Sequence, residues 1–498
     1  MKQAAVLPET FRTAPLVRLK LLKHGVFKEY LPYYKRNLKV ALPVMLTQLG
    51  ASLVGLFDSI MVGHYATVDL AAVSFSNALF FTVMVFAMGA LMGLTPLVGF
   101  QVGSLTASES EQSNSVSSLT SNNERSEWSN CRAIIASLFQ NGMLFTVLLS
   151  IITLVLLGGC IPFLHCFGQD PQVIEVAKPY YILIVISIVP FLFFTFFKQF
   201  LEGLGNTSVA MVITLVMNGL NIFLNWLFIY GNWGCPKLGA TGAGIGSLVA
   251  RVGMAICFVV VMYCRRDWKE YIRSIHWDGF KASVLKQLSK IGFPIGVQTL
   301  METVAFTAAF VIIGWISKEA LAAHQIANQI CDMTFMVILG IGSATTIRVS
   351  HQLGANNLEG VRMAGNASIH LVLIINTIGA CLMIGLRHQI PLLFTDDQEV
   401  ISIASQLLIW AGALQLADGL QVVGASMLRG ITDVKVPMVI AMICYTIVCI
   451  SVGLILAFPV GLGAQGIWIG FVVGLASAAV CLHIRFRIKY KELAANFV

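Results

Sequence analysis

The chain has 498 residues, 57% of them hydrophobic and only 11% charged, against about a quarter charged in soluble domains; an ordinary water-soluble protein is excluded. Its formal net charge of +8 does not indicate nucleic acid, because the basic residues fall in short groups between long apolar stretches. The eleven cysteines are scattered without a CxxC pair, so neither a zinc site nor a disulfide framework is expected, and no cofactor is implied.

Residues 1–40 are basic and amphipathic and lack the apolar core and small-residue cleavage site of a signal peptide. Twelve apolar stretches follow, at about 41–62, 73–99, 134–157, 178–200, 208–230, 240–263, 288–314, 323–346, 364–386, 402–426, 434–457 and 464–484. Each is long enough to cross a bilayer as a helix. The fold class is therefore an all-α integral membrane protein. A cytoplasmic N-terminus puts 27 of the 32 basic residues on inside loops and tails, so both termini are expected in the cytoplasm.

Within the first half, Ser104 to Glu127 is a Ser/Asn/Glu tract with few apolar residues. A disordered cytoplasmic insert is expected at about 104–131. The expected organisation is thus an N-terminal segment (1–40), an N-lobe (41–263), a cytoplasmic linker (264–287), a C-lobe (288–485) and a cytoplasmic tail (486–498).

The two lobes are copies of each other. Pro43, Gly63, Leu70-Ala71-Ala72, Asn77 and Gln101-Val102-Gly103 recur 251 positions later as Pro294, Gly314, Leu321-Ala322-Ala323, Asn328 and Gln352-Leu353-Gly354. Leu201-Glu202-Gly203 recurs at an offset of 227 as Leu428-Arg429-Gly430, and the loss of 24 positions matches the length of the Ser-rich tract. Six helices per copy make the repeats parallel, an arrangement typical of alternating-access transporters.

Carboxylates break this symmetry. Asp58, Glu302 and Asp418 fall inside apolar stretches and align with Ala309, Ala51 and Phe191. An ionised group at that depth is costly, and such residues mark ion or proton paths by default; the alternative is a neutral carboxyl bonding neighbouring helices. With Arg251 as the one candidate basic partner in a stretch, these acids are stabilised by taking up H⁺ or by binding Na⁺. Asn218, Asn221 and Asn225 share one face of the fifth stretch and can complete an oxygen shell or bond between helices. Asp332 lines the outer cavity or caps a short helix. The Gly461–Gly466 run fits G-x-G-x-x-G but follows no strand, and reads as a loop. His324 and His351 have no metal-ligand neighbours at helical spacing.

The runs Asp58-Ser59-Ile60-Met61-Val62-Gly63-His64, Leu201-Glu202-Gly203-Leu204-Gly205-Asn206-Thr207 and Leu428-Arg429-Gly430-Ile431-Thr432-Asp433, with Asn225-Trp226 and Pro236-Lys237-Leu238-Gly239-Ala240, resemble multidrug and toxic compound extrusion (MATE) transporters. The likeness spans about residues 35 to 485 and is greatest to the bacterial NorM branch. It implies a V-shaped two-lobe bundle exporting cationic, often aromatic, compounds in exchange for H⁺ or Na⁺. It implies an N-lobe cation site at Asp58 with Asn221 and Asn225, and a C-lobe site at Glu302 and Asp418. A coupling Na⁺ would fall at Glu302 and Asp418, or at Asp58 and Asn225. One departure is Leu414, where some members carry an aromatic residue one turn before the second acid. For this reason H⁺ carried by Asp58 is the favoured coupling.

The expected partners are cationic or amphipathic small molecules and membrane lipid, not nucleic acid, with the protein a monomer in the cell (inner) membrane. A lipid-linked saccharide flippase is the related alternative, disfavoured by a shortage of buried Lys and Arg. A membrane enzyme is the unrelated one, disfavoured because nothing completes a site around Asp396-Asp397. A channel would need a ring of acids.

Overall fold

The computed structural model describes residues 26–114, 121–276 and 279–496, and every regular element among them is helical. The first half contains α1 (Val26–Tyr65), α2 (Thr67–Leu91), α3 (Leu94–Asn114), α4 (Ser121–Gly159), α5 (Pro171–Gly203), α6 (Ser208–Tyr230) and α7 (Ala240–Cys264). A short helix α8 (Arg266–Arg273) lies in the linker. The second half contains α9 (Ala282–Gly314), α10 (Lys318–Gly354), α11 (Leu358–Gly385), α12 (Gln398–Gly430), α13 (Lys435–Ala441), a π-helical segment (Met442–Cys449), α14 (Ile450–Ala457) and α15 (Ala464–Asn496). Counting α2 with α3, and α13 through α14, as single spans, twelve are long and apolar enough to cross a membrane.

Each predicted stretch coincides with one of these spans to within a residue or lies inside it, and most spans run longer. Extending a formed helix costs far less than nucleating one, so polar turns beyond the apolar core stay helical. The Ser-rich tract shows the same effect and corrects an expectation. Rather than being disordered throughout, it continues α3 to Asn114 and begins α4 at Ser121, with residues 115–120 outside the described set. Most of the N-terminal segment, residues 1–25, also lies outside it.

On the side away from the termini, three helices, α10, α5 and α12, begin on side-chain caps. Ser317 accepts from Ala320 N–H (3.0 Å), Asp170 from Gln172 N–H (2.8 Å) and Asp397 from Glu399 N–H (2.9 Å). The acid pair Asp396-Asp397 is thereby explained as a helix start.

The apolar cores show how the halves meet. On the side away from the termini, one core draws only on residues from Val62 to Ala243 and another only on Ala305 to Ala478. On the side of the termini the cores are shared. Leu288, Ile291 and Ile295 of α9 join the first-half core, while Ala41 and Met45 of α1 join the second-half core. The repeat makes this exchange reciprocal, since α1 corresponds to α9 and α2–α3 to α10.

Glycine conservation between the copies has its cause here. A Cβ on Gly103 would strike the His351 carbonyl, and one on Gly354 would strike the carbonyl of Phe100; Phe100 and His351 are themselves repeat partners. α3 and the end of α10 therefore cross backbone to backbone at the pseudo-twofold axis. The Ser104 hydroxyl donates to Gly354 O (3.0 Å) across the crossing. His351 Nε2 adds a contact to Gly203 O (2.8 Å). The halves are thus clamped together on the side of the termini, and each keeps its own core on the other.

The linker is docked on α4. Asn141 donates to Gly279 O (3.1 Å) and accepts from Lys281 N–H (2.9 Å), Gln140 donates to His276 O, and Trp268, Tyr271 and Ile272 pack on the first-half core.

Candidate functional site

Asp58 lies on α1, seven residues before its end and so about 10 Å from it at the helical rise. It faces α6. Asn225 Nδ2 donates to Asp58 Oδ1. With its amide turned to satisfy both ends, Asn221 donates to the same oxygen (3.0 Å) and accepts from Ser247 N–H on α7 (3.2 Å). Asn218, one turn along α6, is buried with its Nδ2 unpartnered. All three asparagines therefore face the lobe interior, and two of them hold the carboxylate.

One turn beyond Ser247 on the same face of α7 is Arg251. Its guanidinium donates to Ser187 Oγ (2.7 Å) and lies over the rings of Phe80 (4.9 Å) and Phe191 (5.1 Å). Its charge acts on both Asp58 and Tyr180, and the Tyr180 hydroxyl donates to Asn77 Oδ1 (3.3 Å). The N-lobe acid thus has a buried cation nearby. Phe191, the repeat counterpart of Asp418, is part of that cation's seat.

In the other lobe, Glu302 lies in the second half of α9. Glu302 is half-buried, and its Oε1 is enclosed without a hydrogen-bond partner. Asp418 on α12 is 6% exposed, with Oδ1 likewise unpartnered. The fields of the two carboxylates overlap. Beside Asp418 are Asn376, which donates to Gln415 O (2.5 Å), and buried Gln415 and Gln421 on its own helix. Glu302 and Asp418 thus lie within electrostatic reach of each other in the second half, and Asp58 lies in the first. Leu414 is buried in the apolar core and offers the site no polar atom. Asp332 accepts from Asn328 Nδ2 (3.1 Å) on an exposed face in the middle of α10, so it caps nothing.

Several buried charges escape a reading by hydropathy. Lys198 and Glu202 pair on α5 (3.9 Å), and Lys198 Nζ donates to Gln48 Oε1 on α1 (3.1 Å). Arg429, the repeat counterpart of Glu202, is buried at the end of α12; its Nη1 points to Met92 Sδ of the other half (3.9 Å) and its charge acts on Glu302. These residues lie near helix ends; Glu202 and Arg429 fall just beyond the predicted stretches, and Lys198, although within one, was counted with the loops. The first copy consequently holds two buried acids, not one, and the supposed shortage of buried cations is incorrect. The dismissed histidines are structural: His351 joins the halves, and His324 Nδ1 accepts from Trp468 Nε1 (3.2 Å).

A duplicated helical bundle clamped at one end, with carboxylates inside both lobes, defines an integral-membrane transporter with two structurally equivalent halves. The MatE family model matches residues 43–113, 132–227 and 294–455. The "Probable multidrug resistance protein NorM" of Rhizobium meliloti (strain 1021) is 31% identical over 473 residues, covering 91% of this chain and 93% of that protein. The "Multidrug resistance protein NorM" of Vibrio vulnificus (strain CMCP6) is 30% identical, covering 91% and 95%. Among solved structures, one described as the outward-facing conformation of a multidrug resistance MATE family transporter of the MOP superfamily aligns with a TM-score of 0.80 at 19% identity, over 93% of this chain and 97% of that one. The chain belongs to the MatE family.

Proposed function

We propose that the chain is a secondary antiporter that exports cationic or amphipathic small molecules in exchange for H⁺ or Na⁺. It acts as a monomer in the cell (inner) membrane, with both termini in the cytoplasm. The substrate class comes from the relatives, which are named as multidrug resistance proteins. The observation that carries the coupling is that Glu302 and Asp418 each enclose an unpartnered carboxylate oxygen within electrostatic reach of the other. Two carboxylates in low dielectric repel, and a bound H⁺ or Na⁺ relieves the repulsion. An ion that binds one conformation better than the other shifts the population between them.

The N-lobe acid is proposed to act differently. Asp58 already has two amide donors and the field of Arg251, so less of its charge is left for a mobile ion. Asp58, Asn221 and Asn225 are then the residues that take up H⁺ or contact cargo, while the C-lobe pair holds the coupling ion. A lipid-linked sugar as cargo is disfavoured by the relatives rather than by any lack of buried cations. Efflux of a fluorescent cation from proteoliposomes tests the reading: Glu302→Gln should reduce gradient-driven export at least tenfold, and wild-type export by that variant would reject the C-lobe pair as coupling groups.

A further inference from the structure

The linker helix α8 sorts its side chains by chemistry. At the α-helical period, Trp268, Tyr271 and Ile272 share one arc, Asp267 and Glu270 a second, and Arg266, Lys269 and Arg273 a third that spans about 60°. The first arc packs on the first-half core. In the second, Glu270 Oε2 accepts from Arg132 Nη1 on α4 (3.4 Å). The third is turned outward. Arg266 and Arg273 are exposed, and no ion pair among the described residues engages Arg266, Lys269 or Arg273.

What the basic arc faces follows from α7. Its exposed residues Val252, Ile256, Val259 and Tyr263 form one stripe at i, i+4, i+7 and i+11, opposite the buried stripe Ala250, Met254, Phe258 and Met262. In a membrane span an exposed apolar stripe meets acyl chains, and a tyrosine at its end marks the headgroup level. Helix α7 stops one residue later at Cys264, Arg265 takes extended backbone, and the chain turns into α8. The Lys269 ammonium then lies 4.1 Å from the centroid of the Tyr263 ring. The basic arc therefore begins where the acyl-facing stripe ends. This turn belongs to the first half alone, since α15, the counterpart of α7, runs unbroken to Asn496.

We propose that Arg266, Lys269 and Arg273 hold the phosphate of an acidic phospholipid in the leaflet on the side of the termini, with Val259 and Tyr263 against its acyl chains. Charge complementarity selects the lipid class. An acidic headgroup meets three cations, whereas a zwitterionic one brings an ammonium of its own into the same arc. Glu270, the acid nearest the basic arc on the helix surface, is tied to Arg132 and does not oppose the phosphate. The proposal needs only that the chain spans a membrane, and is independent of cargo and coupling ion.

The test titrates the purified full-length protein in neutral detergent with dioleoylphosphatidylglycerol, following retained lipid by native mass spectrometry and the rise in melting temperature. Each basic residue near a lipid surface is worth about fivefold in binding. The triple variant Arg266→Gln, Lys269→Gln, Arg273→Gln should therefore raise the half-saturating lipid concentration at least tenfold. In dioleoylphosphatidylcholine its melting temperature should match the wild type's, which shows that it folds. Removing three exposed cations from the other side of the membrane, by Lys178→Gln, Lys237→Gln and Arg387→Gln, should leave the phosphatidylglycerol affinity unchanged. Glycerol 3-phosphate, which has the phosphate without acyl chains, should give no saturable shift. Equal phosphatidylglycerol affinity in the wild type and the α8 triple variant overturns the proposal, as does an equal response of the wild type to phosphatidylcholine. A saturable response to glycerol 3-phosphate, lost in the α8 variant, overturns the lipid as occupant in favour of a free phosphate.

Discussion

Replacing Gly354 by alanine puts a methyl group against the carbonyl of Phe100, and Gly103→Ala puts its repeat counterpart against the carbonyl of His351. Neither neighbour is a flexible side-chain end; both are helix backbone, so relief requires α3 and α10 to separate. Overpacking of this kind costs about 1–3 kcal/mol. Because the contact exists only while the halves are closed on the side of the termini, the cost falls on that conformation. It shifts the balance between conformations by roughly 5- to 150-fold. Spin labels on exposed Ser208 and Glu359, at the starts of α6 and α11, report the separation of the halves by double electron–electron resonance. The wild type should give one short distance, and each glycine variant a growing longer population with slower export. Gly158→Ala on α4, where a Cβ meets nothing within 4 Å, should change neither. An unaltered distance distribution in Gly354→Ala would show that the crossing does not clamp the halves.

Three further outcomes are expected. Glu302→Gln and Asp418→Asn should each impair export, and the double variant should be no worse than the poorer single one if they share one ion; additive losses in a double-mutant cycle would separate them. Arg251→Met should lower the melting temperature by stranding Asp58, and adding Asp58→Asn should recover part of the loss; no recovery would mean the two charges are uncoupled. In intact cells an impermeant thiol reagent should label Gln169→Cys in a cysteine-free background and spare Lys491→Cys, and the reverse pattern would invert the proposed orientation.

Much of this arrangement was legible in the residues. The 251-residue offset identified the equivalent helices, and one glycine pair shared at that offset, Gly103 and Gly354, proved to be a point where the halves touch. Spacing alone put Asn218, Asn221 and Asn225 on one helical face, whereas their meeting with Asp58 was implied only by the family resemblance. Arg251 could be placed in its helix, but its seat on Phe80, Phe191 and Ser187 depends on three positions on two other helices. Glu202 and Arg429 were missed because the predicted spans ended at 200 and 426, whereas each helix continues to the glycine that follows; Lys198 fell inside its span but was counted with the loops. The repeat carried a usable signal, since Glu202 and Arg429 occupy one duplicated position with opposite charge. Helicity at both ends of the Ser-rich tract was hidden by composition, which does not register that each end continues a membrane helix.

The most direct test of the account is export of a fluorescent cation from proteoliposomes with Na⁺ and pH gradients imposed one at a time, in wild type and Glu302→Gln. The account predicts accumulation or efflux of the dye against its own gradient under at least one imposed ion gradient, lost in Glu302→Gln. Dye movement that ignores both gradients, or that is the same in the variant, would contradict it.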